Sequence, residues 1–352
     1  MKKNTIYLLL ALTMLTAACS RRRQLPAGTA PQHDVLLKTT PVKNQGSSTL
    51  CWAYAMLATI ETEHLMKGDS VNLSADYVAR LMLEEQARRY YLSGGKTVIS
   101  LRGMMPMLVS RIRNAGLLSF NSYHADSTVN YRLVQRKLQR AADMAISRRT
   151  GLDAFMQQTT RLLDDNLRPA PRYQFMFGAE YTAQEFGRSV CRADEYVALT
   201  SVSHHPFGRH CVLELADNQD ADSFLNVPMQ TLTQAVKHAL RNHHPVCWEG
   251  DISEPGFSFS RGIAQLSKSH SQEERRHMIE TFATTDDHCM EIIGLARSPK
   301  GKTYFVCKNS WGTGNAFGGL MYMSEDYFYY KTIAVMMNRE AWLSADSIHT
   351  SH

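Results

Sequence analysis

Long apolar runs are scarce in this chain of 352 residues. Past residues 6–15 no stretch approaches the roughly 20 apolar residues that a membrane-spanning helix needs. No glycine-rich phosphate loop is present, and no basic run interleaved with aromatics, so the nucleotide- and nucleic-acid-binding classes lack their signatures. Net charge is +6, and +4 without Lys2 and Lys3, too small a bias to imply a polyanionic partner. The one basic run, Arg21-Arg22-Arg23, reads as a solvated leader. Seven cysteines stand at 19, 51, 191, 211, 247, 289 and 307. None forms a CxxC or Cys/His pattern, so neither a metal nor an organic cofactor is expected. Internal repeats and low-complexity segments are missing too. What remains is an ordinary globular composition, 44% hydrophobic and 20% charged, enough for one large domain or two small ones.

The first residues are an export signal rather than part of a fold. Lys2 and Lys3 form a charged start, and residues 6–15 an apolar stretch shorter than a bilayer span. Leu15-Thr16-Ala17-Ala18-Cys19 then resembles a bacterial lipobox, with Thr16 where leucine is usual. The reading is a signal peptide over 1–18, lipidation of Cys19 and a polar tether over 19–40. The body would then be exported, on the periplasmic side of an outer membrane or at the cell surface, touching the membrane only through the anchor. A plain secretory signal with a chance cysteine is the alternative.

From residue 41 the chain changes character once. Residues 51–66 read as a helix ended by Gly68, a second opens at Leu73-Ser74, and a third covers 104–118. Leu133, Val134, Leu138, Ala141 and Ala145, then Leu152, Phe155, Met156 and Leu163, give a helical hairpin over 128–168. Another helix falls within 226–242. Short apolar runs at 245–248, 290–296, 304–307, 320–323 and 332–337 read as antiparallel strands. Helices followed by strands argue an α+β fold with two lobes.

One segment carries chemistry in ten residues, Gln45-Gly46-Ser47-Ser48-Thr49-Leu50-Cys51-Trp52-Ala53-Tyr54. A cysteine in the first turn of a helix lies at the positive end of the dipole, which favours thiolate. The first backbone N–H groups of the helix and the Gln45 amide can hold an oxyanion. Taken alone, Cys51 fits better as a small apolar residue packed at a helix start. A thiolate also needs a histidine and a group to orient it. His204, His205 and His210, and His243 and His244, read as loop residues rather than metal ligands. His288 opens a strand after Thr284-Thr285-Asp286-Asp287. Lys308-Asn309-Ser310-Trp311-Gly312 ends the next strand. A hairpin brings those ends together, so the Asn309 carbonyl can fix the imidazole and Trp311 can shield the bond.

Together these blocks resemble the papain-like cysteine peptidases, whose Gln-Gly-x-x-x-x-Cys-Trp-Ala-Phe and Asn-Ser-Trp-Gly signatures match Gln45 to Tyr54 and Asn309 to Gly312. The gap from Cys51 to His288, 288 − 51 = 237 residues, exceeds the papain spacing by about 100 residues. In this the chain is similar to the bleomycin hydrolase and aminopeptidase C branch. The resemblance implies a two-lobe fold over 41–340, with a helical N-terminal lobe and an antiparallel, β-barrel-like C-terminal lobe. A mainly helical insertion would occupy about 125–225, and a short tail 341–352. It implies Cys51 as nucleophile, His288 as base and acid, Asn309 as orienter and Gln45 as oxyanion donor, acting on peptide substrates without a cofactor. Trp52 and Trp311 are implied neighbours of the site, and Thr49 and Leu50 part of the cleft wall. Thr49 stands where the family usually has glycine, and Arg102-Gly103 where Gly-Gly is common. In that branch the chain's own C-terminus lies in the cleft and limits cleavage to N-terminal residues, so aminopeptidase action is expected. Endopeptidase action, or a non-catalytic peptide-binding lipoprotein of the same fold, are the alternatives, and a homo-oligomer is left open.

Overall fold

The computed structural model describes residues 31–125, 129–268 and 271–349, the last four of these without their side chains. The signal peptide, Cys19, most of the tether and residues 350–352 lie outside the described residues. Among those described, no helix is long and apolar enough to cross a membrane.

The front half is helical, as its periodicity indicates. Helix α1 (Cys51–Met66) is buried from Trp52 through Glu63, which suits its run of Ala, Met, Leu and Ile. Around it stand α2 (Ala75–Leu92), α3 (Met105–Ala115) and the hairpin of α4 (Tyr131–Ser147) and α5 (Leu152–Asn166). Ser74 caps α2 through the Tyr77 N–H, and Asn130 caps α4 through that of Leu133. Helix α3 stops at Gly116, whose φ of 84° suits glycine alone. The predicted end at 118 therefore overran by one turn.

The back half is one sheet of eleven strands, mostly antiparallel. Three strands matter for the site: β7 (Val246–Gly250), β10 (His288–Arg297) and β11 (Thr303–Lys308). β10 lies between the other two, with His288 opposite Gly250 and Glu291 opposite both Cys247 and Lys308. β12 (Leu320–Ser324) extends this side, while β13 (Thr332–Asn338) and β4 (Tyr196–Thr200) follow on from β7. Two hydrophobic cores result. One joins the helices to one side of the sheet, including Cys247 and Cys289. The other lies on the far side, beneath α7 (Met229–Arg241) and α10 (Arg339–His349).

Three boundaries differ from the sequence reading. Residues 32–36, assigned to the tether, form strand β1 on the end of β10, pairing Gln32 with Arg297 and Leu36 with Gly294. Their largely exposed, polar character hid the strand. The insertion at 125–225 is helical only in part. Its later portion supplies β4, buried along its whole length, and the strands β5 (Arg209–Val212) and β6 (Ser223–Asn226). A five-residue apolar run does not by itself distinguish strand from helix. The boundary at 340/341 cuts through α10, whose Ala341, Trp342 and Ala345 are buried in the second core. That helix packs on the face of the sheet opposite α1.

Candidate active site

Cys51 is the first residue of α1, and the residue before it gives the helix no side-chain cap. Its first N–H groups therefore lack the internal acceptor that capping supplies. His288 opens β10, and its ring is close enough to Cys51 to lower the pKa of that thiol. Its Nε2 lies 2.8 Å from Asn309 Oδ1. That oxygen also accepts the Ser310 N–H at 2.7 Å, while Asn309 Nδ2 points at Met321 Sδ, 3.5 Å away. These partners leave the Asn309 oxygen as the acceptor, so Nε2 carries hydrogen and Nδ1 is free for the sulfur. His288 and Asn309 are buried, each at 2% exposure, while Cys51 is half-buried.

Trp311 covers this pair, its ring 4.6 Å from that of His288. Phe257 and Phe259 pack edge-on against Trp311 at 6.0 and 5.3 Å. Neither had a signal in the sequence, because Phe257 opens a strand of only two residues and Phe259 lies in the turn after it. Trp52 is buried, and its Nε1 donates to the Leu101 carbonyl at 2.9 Å. Gly103 rests on the same ring; a β-carbon there would sit 3.0 Å from Trp52 Cε2. Leu50 is fully buried in the helical core and forms no cleft wall, because α1 turns it inward. Thr49 stays exposed.

Gln45 is held by the Asn309 loop. The backbone N–H of Gln45 donates to the Ser310 carbonyl at 2.8 Å, and the Ser310 hydroxyl donates to Gln45 Oε1 at 2.6 Å. Nε2 gives one hydrogen to the Ser48 carbonyl at 2.9 Å and keeps a second. Beneath both loops runs a buried ionic network. Glu61 of α1 takes Lys43 at 2.6 Å, the Leu73 N–H at 2.6 Å and the Thr40 hydroxyl. Lys308, next to Asn309, reaches Thr39, Thr40 and Glu291. The Gln45 loop and the Asn309 loop are thus bolted to the helix that carries Cys51.

Electrostatics favour thiolate at Cys51. Its sulfur is held well below the ordinary thiol range, first by a hydrogen bond from Cys289 and then by His288, which together outweigh burial. Cys289 itself is pushed well up by burial, so it stays protonated and donates. Glu249, directly across the ladder from Cys289, is also pushed well up, chiefly by burial. The sequence marked Cys289 only as one of several thiols; its place after His288 on a strand was the available signal. The six described cysteines are all free thiols.

The residues from 125 to 225 also reach the site. The turn between β5 and β6 crosses to the helical side and fastens there. Asp217 takes Arg102 Nε at 2.7 Å, Gln219 donates to the Arg102 carbonyl at 3.2 Å, and Asp220 pairs with Arg89 and Arg111 at 2.8 Å each. Both Asp217 and Arg102 feel the charge on Cys51. The turn is therefore a strap from the sheet to the helical side, within electrostatic reach of Cys51. Among the histidines set aside earlier, His204 and His205 meet Glu214, the latter at 3.0 Å; His210 lies in β5 rather than a loop; His244 pairs with Glu63 at 3.0 Å.

The Peptidase C1-like family profile matches residues 173–350, just over half of the chain. The chain belongs to the Peptidase C1-like family. It is accordingly a cysteine peptidase, and the α+β fold is the papain-like one. PepW from Lactobacillus rhamnosis HN001 has a similar crystal structure, with a TM-score of 0.70 over 92% of this chain and 86% of that one, at 16% identity. This peptidase's fold also overlaps the structure reported for the mite allergens Blo t 1 and Der p 1, with a TM-score of 0.46 over 89% and 72% of the chains, again at 16% identity. No curated protein matches it.

Proposed function

We propose that this peptidase is an aminopeptidase working through Cys51, His288 and Asn309. Cys51 thiolate attacks the carbonyl of the scissile bond. The Cys51 backbone N–H and the free hydrogen on Gln45 Nε2 hold the oxyanion. His288 gives its proton to the departing amine, and the thioester forms as the C–N bond breaks. Water, losing a proton to His288, then releases the acid and restores the thiol. No step calls for a cofactor.

The strap carries the exopeptidase part of the reading. A chain end fits beside Asp217 and Arg102, whereas a polypeptide running through meets the fastened turn. Charge favours the amino end. Arg102 is already spent on Asp217, and Asp286 adds a second carboxyl group, its pKa raised first by burial and then by Asp217. The discriminating experiment compares a fluorogenic aminoacyl substrate with its N-acetylated form. The free amine should be cleaved at least tenfold faster, and Arg102→Ala, which loosens the strap, should raise the rate on the acetylated form. Preference for the blocked substrate would sink this reading.

The lipobox supports a body tethered through Cys19. Metabolic labelling with an azido fatty acid should mark the wild-type chain but not Cys19→Ala; equal labelling of both would refute the anchor.

A further inference from the structure

Within electrostatic reach of Asp217 in the strap lies a carboxyl group that the reaction scheme leaves unused. Asp286 lies two residues before His288. It lines an apolar cavity of about 440 Å³ together with Leu213, Leu215, Ile279 and Ile333. Its Oδ2 is buried and meets no hydrogen-bond donor among the described residues. A buried carboxylate oxygen without a donor is unfavourable, so such a group calls for a partner from outside the fold.

The neighbouring charges do not supply one. Asp217 is satisfied by Arg102, which contacts it through Nε with both oxygens at 2.7 and 2.9 Å. Asp286 feels that guanidinium only at a distance and is opposed by Asp217 and Asp287. The other carboxylates near the cavity have partners of their own: Glu280 has Arg276 at 2.8 Å, and Glu214 has the His205 ring at 3.0 Å. One carboxylate is therefore uncompensated, at the mouth of an apolar cavity, two residues from the base.

A primary ammonium satisfies every term of this arrangement. It supplies hydrogens to the bare oxygen and relieves the repulsion between Asp286 and Asp217. We propose that Asp286 binds the free α-ammonium of the substrate and that the apolar cavity takes the adjoining side chain. Held there, the first peptide carbonyl is brought to Cys51. This rests on the aminopeptidase reading and deepens it: the chain end is measured by a carboxylate from the loop before His288.

The test uses three fluorogenic substrates: leucyl, N-acetyl-leucyl, and N-acetyl-arginyl-leucyl amides. Asp286→Asn keeps the shape and removes the charge. It should raise KM for the leucyl amide at least tenfold, with kcat within a factor of about three. Rates on both acetylated substrates and the rate of Cys51 alkylation should not change, which also shows that the variant is folded. Asp286→Glu should recover part of the preference. If wild type prefers the free amine and Asp286→Asn keeps that preference, the anchor is overturned while aminopeptidase action stands. If Asp286→Asn loses only the arginyl substrate, the carboxylate reads a side chain and the assignment is again wrong. A wild type indifferent to acetylation defeats the aminopeptidase reading itself, and the anchor with it.

Discussion

The thiol of Cys289, one residue after His288 in β10, is the largest influence holding the Cys51 sulfur below the ordinary thiol range. Charge-assisted hydrogen bonds stabilise the ionised partner more than neutral ones do. The nucleophile thus gains a donor that neither the helix dipole nor His288 provides.

This contact has a pH signature. Thiolate is the reactive form and is present above the folded-state pKa, which lies well below the ordinary thiol range. Alkylation of Cys51 should already be fast at pH values where an ordinary thiol is still protonated. Cys289→Ala removes the largest cause of the depression, so the inflection of the rate–pH curve should move up. Iodoacetamide kinetics between about pH 4 and 9 measure it, the upper end lying past the ordinary thiol value. An unmoved inflection would show that Cys289 does not tune the sulfur.

Gln45 and Asn309 are joined through Ser310 yet should fail differently. Gln45→Ala removes an oxyanion donor and should lower kcat by about 10²–10³. It should leave Cys51 alkylation intact, since no oxyanion forms in that reaction. Asn309→Ala frees the imidazole and should cost about 10²-fold or more in kcat. It should also slow alkylation, because His288 helps to hold the thiolate. Equal alkylation rates in the two variants would contradict this division of labour.

The network under the site predicts a stability effect. Glu61 is fully buried and takes Lys43, Thr40 and the Leu73 N–H. Glu61→Ala leaves Lys43 without its carboxylate and should cost about 3–5 kcal/mol, as breaking buried pairs does. Urea unfolding followed by tryptophan fluorescence reads this directly. A loss under about 1 kcal/mol, typical of surface pairs, would mean the network is not a structural bolt.

Local signals made much of this legible. The apolar spacing of 133–163 gives α4 and α5, and the runs at 290–296 and 304–307 give the two strands that carry His288 and Asn309 to one edge. Residues 21 apart on a hairpin meet with little help from the rest of the chain. Distant pairings were not legible. Arg102 and Asp217 are 115 residues apart, and nothing near either one announces the other. Strand β1 depends on the exposed edge of β10, and α10 on the groove beside α7, so both follow from tertiary partners rather than from their own composition. Leu50 was misjudged for a related reason: whether it faces a cleft or a core depends on the rotation of α1, which is set by everything packed around it.

The central claim is that Cys51 is the one sulfur on which peptide hydrolysis depends. Titrate the enzyme with substoichiometric iodoacetamide, map the label by mass spectrometry, and record residual hydrolysis of a leucyl amide at each point. Label should enter Cys51 first, and activity should fall in proportion, reaching zero at one equivalent. Activity that persists with Cys51 fully labelled, or in Cys51→Ala, would contradict it.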